Sequence, residues 1–125
     1  CLAAEEAHAR RRERDRGRRA VEDRDLQARL VAEILRLFPG CGPGRAEEVA
    51  RHTAIRGSGR VGRTAAAARD LDRQAIELAV AASVRHRDTG YDELLMAGTD
   101  RRDARAEVQA EVDRILDGWR HPTRR

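Results

Sequence analysis

The sequence predicts an all-α single domain: a compact bundle of about five helices, with an apolar third helix at its centre and a charged N-terminal arm. Three observations carry this. Apolar side chains recur at helical spacing from Leu26 onward. No stretch alternates at period two between turn signals, so no strand is expected. Finally, 21 of the 23 Leu, Ile, Val and Phe residues fall between Leu26 and Trp119, which confines the core to one region of the 125-residue chain.

The periodicity predicts each element in turn. Residues 1–22 form a polar arm in which Arg10 to Arg19 carries seven Arg against two acids. Ala, Glu and Arg favour helix, but no apolar stripe runs through the arm, so a disordered segment or a frayed helix is expected. The domain proper spans 23–121. Its first helix runs from about Asp25 to Phe38, with Leu26, Leu30, Ile34, Leu37 and Phe38 on one face and Asp23 or Asp25 as cap. Pro39-Gly40 stops it, and Cys41-Gly42-Pro43-Gly44 makes a turn. The second helix, Arg45 to Ile55, presents a narrow face of Ala46, Val49, Ala50 and Thr53. Arg56 to Thr64 reads as a glycine-rich loop. The third helix, Asp70 to Arg87, is apolar around nearly its whole circumference, which marks a central helix. A short fourth helix, Tyr91 to Ala97, is capped by Thr89 and stopped by Gly98. The fifth, Asp100 to Trp119, aligns Ala104, Val108, Val112, Ile115, Leu116 and Trp119.

Composition narrows the function classes. No apolar run approaches the roughly 18 residues of a membrane span, no signal peptide is recognised, and the length excludes a large two-domain enzyme. The chain carries 26 basic and 22 acidic residues, net +4, and every base is Arg. Absence of Lys and Asn points to a G+C-rich, bacterial genome. It also makes every cation a planar guanidinium suited to bidentate phosphate or carboxylate contact. Two cysteines, Cys1 and Cys41, do not make a disulfide framework, so a reducing cytoplasm is expected. The four His are dispersed and no Cys-x-x-Cys occurs, so neither a metal nor a cofactor is expected.

Two stretches could carry chemistry. Gly57-Ser58-Gly59-Arg60-Val61-Gly62 matches the dinucleotide pattern G-x-G-x-x-G, but it lacks the strand that motif requires before it. Its local physics survives. Exposed glycine amides interleaved with Arg56, Arg60 and Arg63 can cradle a phosphate. An anion site built from Arg56, Gly57, Ser58, Gly59, Arg60, Gly62 and Arg63, joined by Arg85 and Arg87, is therefore the leading expectation. The bland alternative is a basic surface loop. The second stretch gathers His86, Asp88, Thr89, Tyr91 and Asp92 at one helix junction. His86 is expected to face inward, Thr89 to cap and Tyr91 to pack. An acid–base role for His86 with Asp88 or Asp92 is the chemical alternative.

A longer set of motifs bears a family likeness. It comprises Leu37-Phe38-Pro39-Gly40, Gly57 to Arg63, the run from Ala79 to Leu95 containing Val-Arg-His-Arg, and Asp100-Arg-x-x-Ala-Arg, and it closes on Trp119. Over roughly residues 26–120 the chain resembles the family named domain of unknown function 2293. The resemblance implies one domain and carries over no activity, cofactor or site residue.

The sequence thus favours a nucleic-acid or polyphosphate binding module that works by phosphate neutralisation. Near-absence of aromatics argues against base stacking. A protein-interaction or structural domain is the main alternative. An enzyme using the His86 region on a phosphorylated substrate is the less favoured class.

Overall fold

The computed structural model describes residues 2–58 and 72–122, with the backbone alone for 54–58. Every regular element among the described residues is a helix: α1 (Leu2–Leu37), a 3₁₀ turn (Pro39–Cys41), α2 (Pro43–Ser58), α3 (Arg73–Asp88), α4 (Tyr91–Met96) and α5 (Arg101–Arg120). The all-α bundle read from the pattern is the observed fold.

α1 is one unbroken helix of 36 residues, with no cap separating its N-terminal stretch from the half that carries the apolar stripe. Asp23 and Asp25 lie inside it and cap nothing. Its C-terminal half behaves as the spacing requires. Leu30, Ile34 and Phe38 recur every four residues and are fully buried, with Leu26, Val31 and Leu35 packed around them. No residue before Leu26 joins the core.

Pro39 ends α1 because it cannot continue the ladder. The Phe38 amide still bonds to the Ile34 carbonyl at 2.7 Å, and the Cys41 amide closes the 3₁₀ turn on the Phe38 carbonyl at 2.9 Å. Gly42 then takes φ +86°, a left-handed conformation that glycine adopts without steric cost. Pro43 opens α2 at its first position, where its missing N–H is no loss. The α2 face of Ala46, Val49 and Ala50 is buried, and its small side chains let α2 lie close on α1.

Asp72 caps α3, its carboxylate accepting from the Gln74 amide at 2.9 Å. This helix packs against each of the other four, so it is central as expected. It is not apolar all round in effect. Ile76, Val80 and Val84 are buried, Ala79, Ala81 and Ala82 are half-buried, and Leu78 is 63% exposed. Alanines on the outer flanks made the wheel look uniformly apolar, yet they present little area to bury.

α4 ends in a Schellman motif. Gly98 at φ +96° donates to the Leu95 carbonyl, and Thr99 donates to the Leu94 carbonyl at 2.9 Å. Asp100 caps α5 through the Arg102 amide at 3.1 Å. Ala104, Val108, Val112 and Leu116 then bury one stripe against α3. At its far end α5 presses on the Pro39–Cys41 turn, which closes the bundle.

Candidate functional site

The last turn of α3, Arg85-His86-Arg87-Asp88, points four consecutive side chains at different neighbours. Successive residues on a helix diverge by about 100°, so the four side chains divide between α2 and α4. Arg87 pairs with Glu48 of α2. Asp88 accepts from Arg45 of α2 at 2.6 Å. The His86 Nδ1 lies 2.7 Å from a carboxylate oxygen of Asp92 on α4. The guanidinium of Arg85 lies over the ring of Tyr91, 5.7 Å from its centre.

Arg45 is the most highly connected of these residues. Besides Asp88 it donates from Nε to the Ser83 hydroxyl at 3.1 Å and from Nη2 to the Ser83 carbonyl at 3.2 Å. Its guanidinium carbon sits 5.4 Å over the Trp119 ring. One side chain therefore ties the start of α2 to the end of α3 and the end of α5.

The polar cluster is not a single site. Asp88 turns to Arg45, whereas His86 turns to Asp92. His86 is exposed rather than inward-facing, with its ring edge-on to Tyr91 at 5.2 Å. His86 misses the core, against the expectation from its spacing, because the last turn of α3 lies beyond the buried stripe that ends at Val84. Tyr91 is buried as expected. The Thr89 hydroxyl bonds to the Arg85 carbonyl and accepts from the Tyr91 amide at 3.2 Å, so it links α3 to α4 from the position before Gly90. The arrangement braces three helices and does not assemble an acid–base pair beside a nucleophile.

The glycine/arginine segment divides. Arg56, Gly57 and Ser58 belong to the last turn of α2, because that helix runs further than the glycines suggested. Gly59, Arg60, Gly62 and Arg63 lie outside the described residues. Of the two arginines expected to join them, Arg87 is engaged by Glu48. Arg85 is half-buried, and burial first, then the like charge of Arg105, pull its guanidinium below the ordinary arginine range.

Among the described residues, no group of three His, Cys, Asp or Glu stands together to hold a metal, and no helix is long and apolar enough to cross a membrane. Burial pushes the Cys41 thiol up, which makes it a poor nucleophile.

A family model described as "Uncharacterized conserved protein (DUF2293)" matches residues 33–120. The chain belongs to this family. No curated protein and no solved structure matches it. The DUF2293 match takes in the last turn of α1, all of α2 to α5, and every partner of the Arg85–Asp88 run. It leaves most of α1 outside. Arg45 and Glu48, which hold the site together, escaped sequence reasoning because their partners lie about forty residues away and no local period marks them.

Proposed function

We propose that the protein is a nucleic-acid-binding module that grips the phosphate backbone through the arginines of the N-terminal half of α1, assisted by the Arg56–Arg63 segment. One observation carries the reading. Arg10, Arg11, Arg12 and Arg14 are exposed and form no ion pair among the described residues, on a stretch of helix that takes no part in the core. In the bundle Arg36, Arg45, Arg73, Arg87 and Arg120 face acids, and no stretch of its described residues sets four unpaired arginines within five positions as residues 10–14 do. A bare helix is about 10–12 Å across, a width that the major groove of about 12 Å accepts. Arg10, Arg14 and Arg18 share one helical row. Recognition is by charge and shape, not by base stacking. Two cysteines and an all-arginine composition support a bacterial, cytoplasmic setting.

The test is a polarisation titration of the full chain against random duplex DNA, single-stranded DNA and RNA at two salt concentrations. Binding should weaken with salt, and replacing Arg10, Arg11, Arg12 and Arg14 by Ala should flatten the log–log slope by roughly three to four. Equal binding by that variant, or salt-insensitive binding by the parent, overturns the reading. A protein-interaction role then takes its place. The specific support for that second reading is the mutual neutralisation of Arg45 with Asp88 and Arg87 with Glu48, together with Met96 left 88% exposed.

A further inference from the structure

The free half of α1 carries its arginines in two rows. Each residue advances about 100° around a helix axis. With Arg10 taken as the origin, Arg14 stands at about 40° and Arg18 at about 80°. On the far side Arg19, Arg12 and Arg16 stand at about 180°, 200° and 240°. The rows therefore occupy opposite flanks of the rod. All six side chains are exposed, and nothing before Leu26 joins the core.

The two faces between the rows differ. One, centred near 300°, holds Ala9, Glu13, Gly17 and Ala20. Three of these have little or no side chain, and a Cβ at Gly17 would meet nothing within 4 Å. The opposite face, centred near 130°, holds Arg11, Asp15 and Glu22. Arg10, Arg11 and Arg12 are consecutive, so the first and third lie on the two flanks and Arg11 lies on the acidic face between them. Glu13 pairs with Arg16, and Asp15 with Arg18 at 3.0 Å. Exposed pairs of this kind are weak, so neither withholds its arginine from a phosphate.

This distribution matches one polyanion. In the major groove of B-form DNA two phosphate backbones face each other across about 12 Å, close to the width of a helix with its side chains. A helix lying along that groove needs cations on both flanks and small residues on the face turned to the bases. Acids are tolerated on the face turned to solvent. A flexible single strand presents no pair of facing phosphate walls, and the major groove of A-form RNA is too deep and narrow for side chains to enter.

We propose that residues Ala9–Ala20 of α1 lie lengthwise in the major groove of B-form duplex DNA. Arg10, Arg14 and Arg18 contact one phosphate wall and Arg12, Arg16 and Arg19 the other. The Ala9–Gly17–Ala20 face turns inward, and Arg11 and Asp15 turn out to solvent. Glu13, the one acid on the inward face, meets the groove floor, where the cytosine amino group is a donor that a carboxylate can accept. This placement rests on the phosphate-binding reading above and adds to it the form of the duplex, the groove and the face of the helix.

Polarisation titrations of the full chain test it with four probes of equal length: duplex DNA, the same duplex with its cytosines carrying glucosylated hydroxymethyl groups that fill the major groove, double-stranded RNA and single-stranded DNA. Plain duplex should bind tightest, by roughly tenfold or more over each of the others. Arg10→Ala and Arg12→Ala should each lower the log–log salt slope by about one, whereas Arg11→Ala, the same change of charge at the residue between them, should leave it near the parent's. Gly17→Pro keeps every charge but breaks the helix. It should weaken duplex binding while the melting temperature of the bundle holds. Equal binding to plain and glucosylated DNA, equal binding to duplex RNA, or an Arg11→Ala effect as large as that of Arg10→Ala overturns the groove placement. In those cases salt-dependent binding that persists leaves the phosphate-binding reading standing, and its absence from the parent overturns both.

Discussion

Arg45 and Asp88 meet at 2.6 Å across the junction of α2 and α3, with the Arg45 side chain only 17% exposed. Exposed ion pairs contribute little and fully buried ones can be offset by desolvation. This pair lies between those limits and gains from the Ser83 bonds and the Trp119 face.

Replacing Arg45 by Met should cost about 2 kcal/mol, because it strands the Asp88 carboxylate and removes the brace between three helices. Asp88→Asn should cost less, since the amide oxygen still accepts. Urea denaturation of both singles and the double should give a coupling of roughly 1–2 kcal/mol. Strict additivity would show that the contact contributes nothing.

Val80→Asp should abolish folding, because its side chain is wholly buried and a carboxylate there has no partner. Leu78→Asp, two residues away on the outer face, should change stability by under about 1 kcal/mol. Ala79→Asp should fall between the two. Circular dichroism and melting curves on the three variants read the orientation of α3 directly, and any other ranking contradicts it.

Removing residues 2–22 should leave the melting temperature within about 3 °C, since no apolar contact is lost. The far-ultraviolet helical signal should nevertheless fall in proportion to the residues removed. A drop in melting temperature of 10 °C would mean that this stretch packs on the bundle.

These predictions follow features that the sequence made legible to different degrees. The stripes of α1 and α5 could be read because Leu, Ile, Val and Phe recur every third or fourth residue there. Pro39 and Gly98 could be read because each permits a narrow set of backbone conformations. The unbroken course of α1 could not. Apolar period is the signal for a docked helix, and residues 2–25 have none. What sustains helix there is residue propensity, side-chain pairs such as Arg16–Glu13 and Arg18–Asp15, and continuity with a docked half. In the candidate site, the junction of α3 and α4 was legible from Thr89 and Tyr91. The pairing of Arg87 with Glu48 and of Asp88 with Arg45 was not, because only the packing of helices brings those partners near.

Gly40→Ala should destabilise the bundle by about 1–3 kcal/mol. A Cβ at this position would lie 3.0 Å from the Trp119 Cα and 3.1 Å from its carbonyl oxygen, and 3.0 Å from the Pro122 Cβ. Backbone atoms yield little, so α5 would have to move off the turn. A Trp119 fluorescence change on this substitution, with the loss of stability, checks it. An unchanged melting curve would show that the contact is loose.

The docked half of α1 also alters the thermodynamics of its free half. Starting a helix from coil is the unfavourable step, with a nucleation constant on the order of 10⁻³. Residues 2–25 never take that step, because the turns around Leu26 and Leu30 are already formed by the core, and each further turn only adds to an existing end. The free stretch therefore melts from Leu2 inward and not from both sides. Its amides should exchange with solvent in a gradient, fastest at the N-terminus and slowest near Leu26. Arginines along this stretch consequently differ in a way their charges do not reveal: Arg18 and Arg19 are displayed on a firmer rod than Arg10, and a ligand that needs helical spacing loses less entropy the nearer it binds to the bundle.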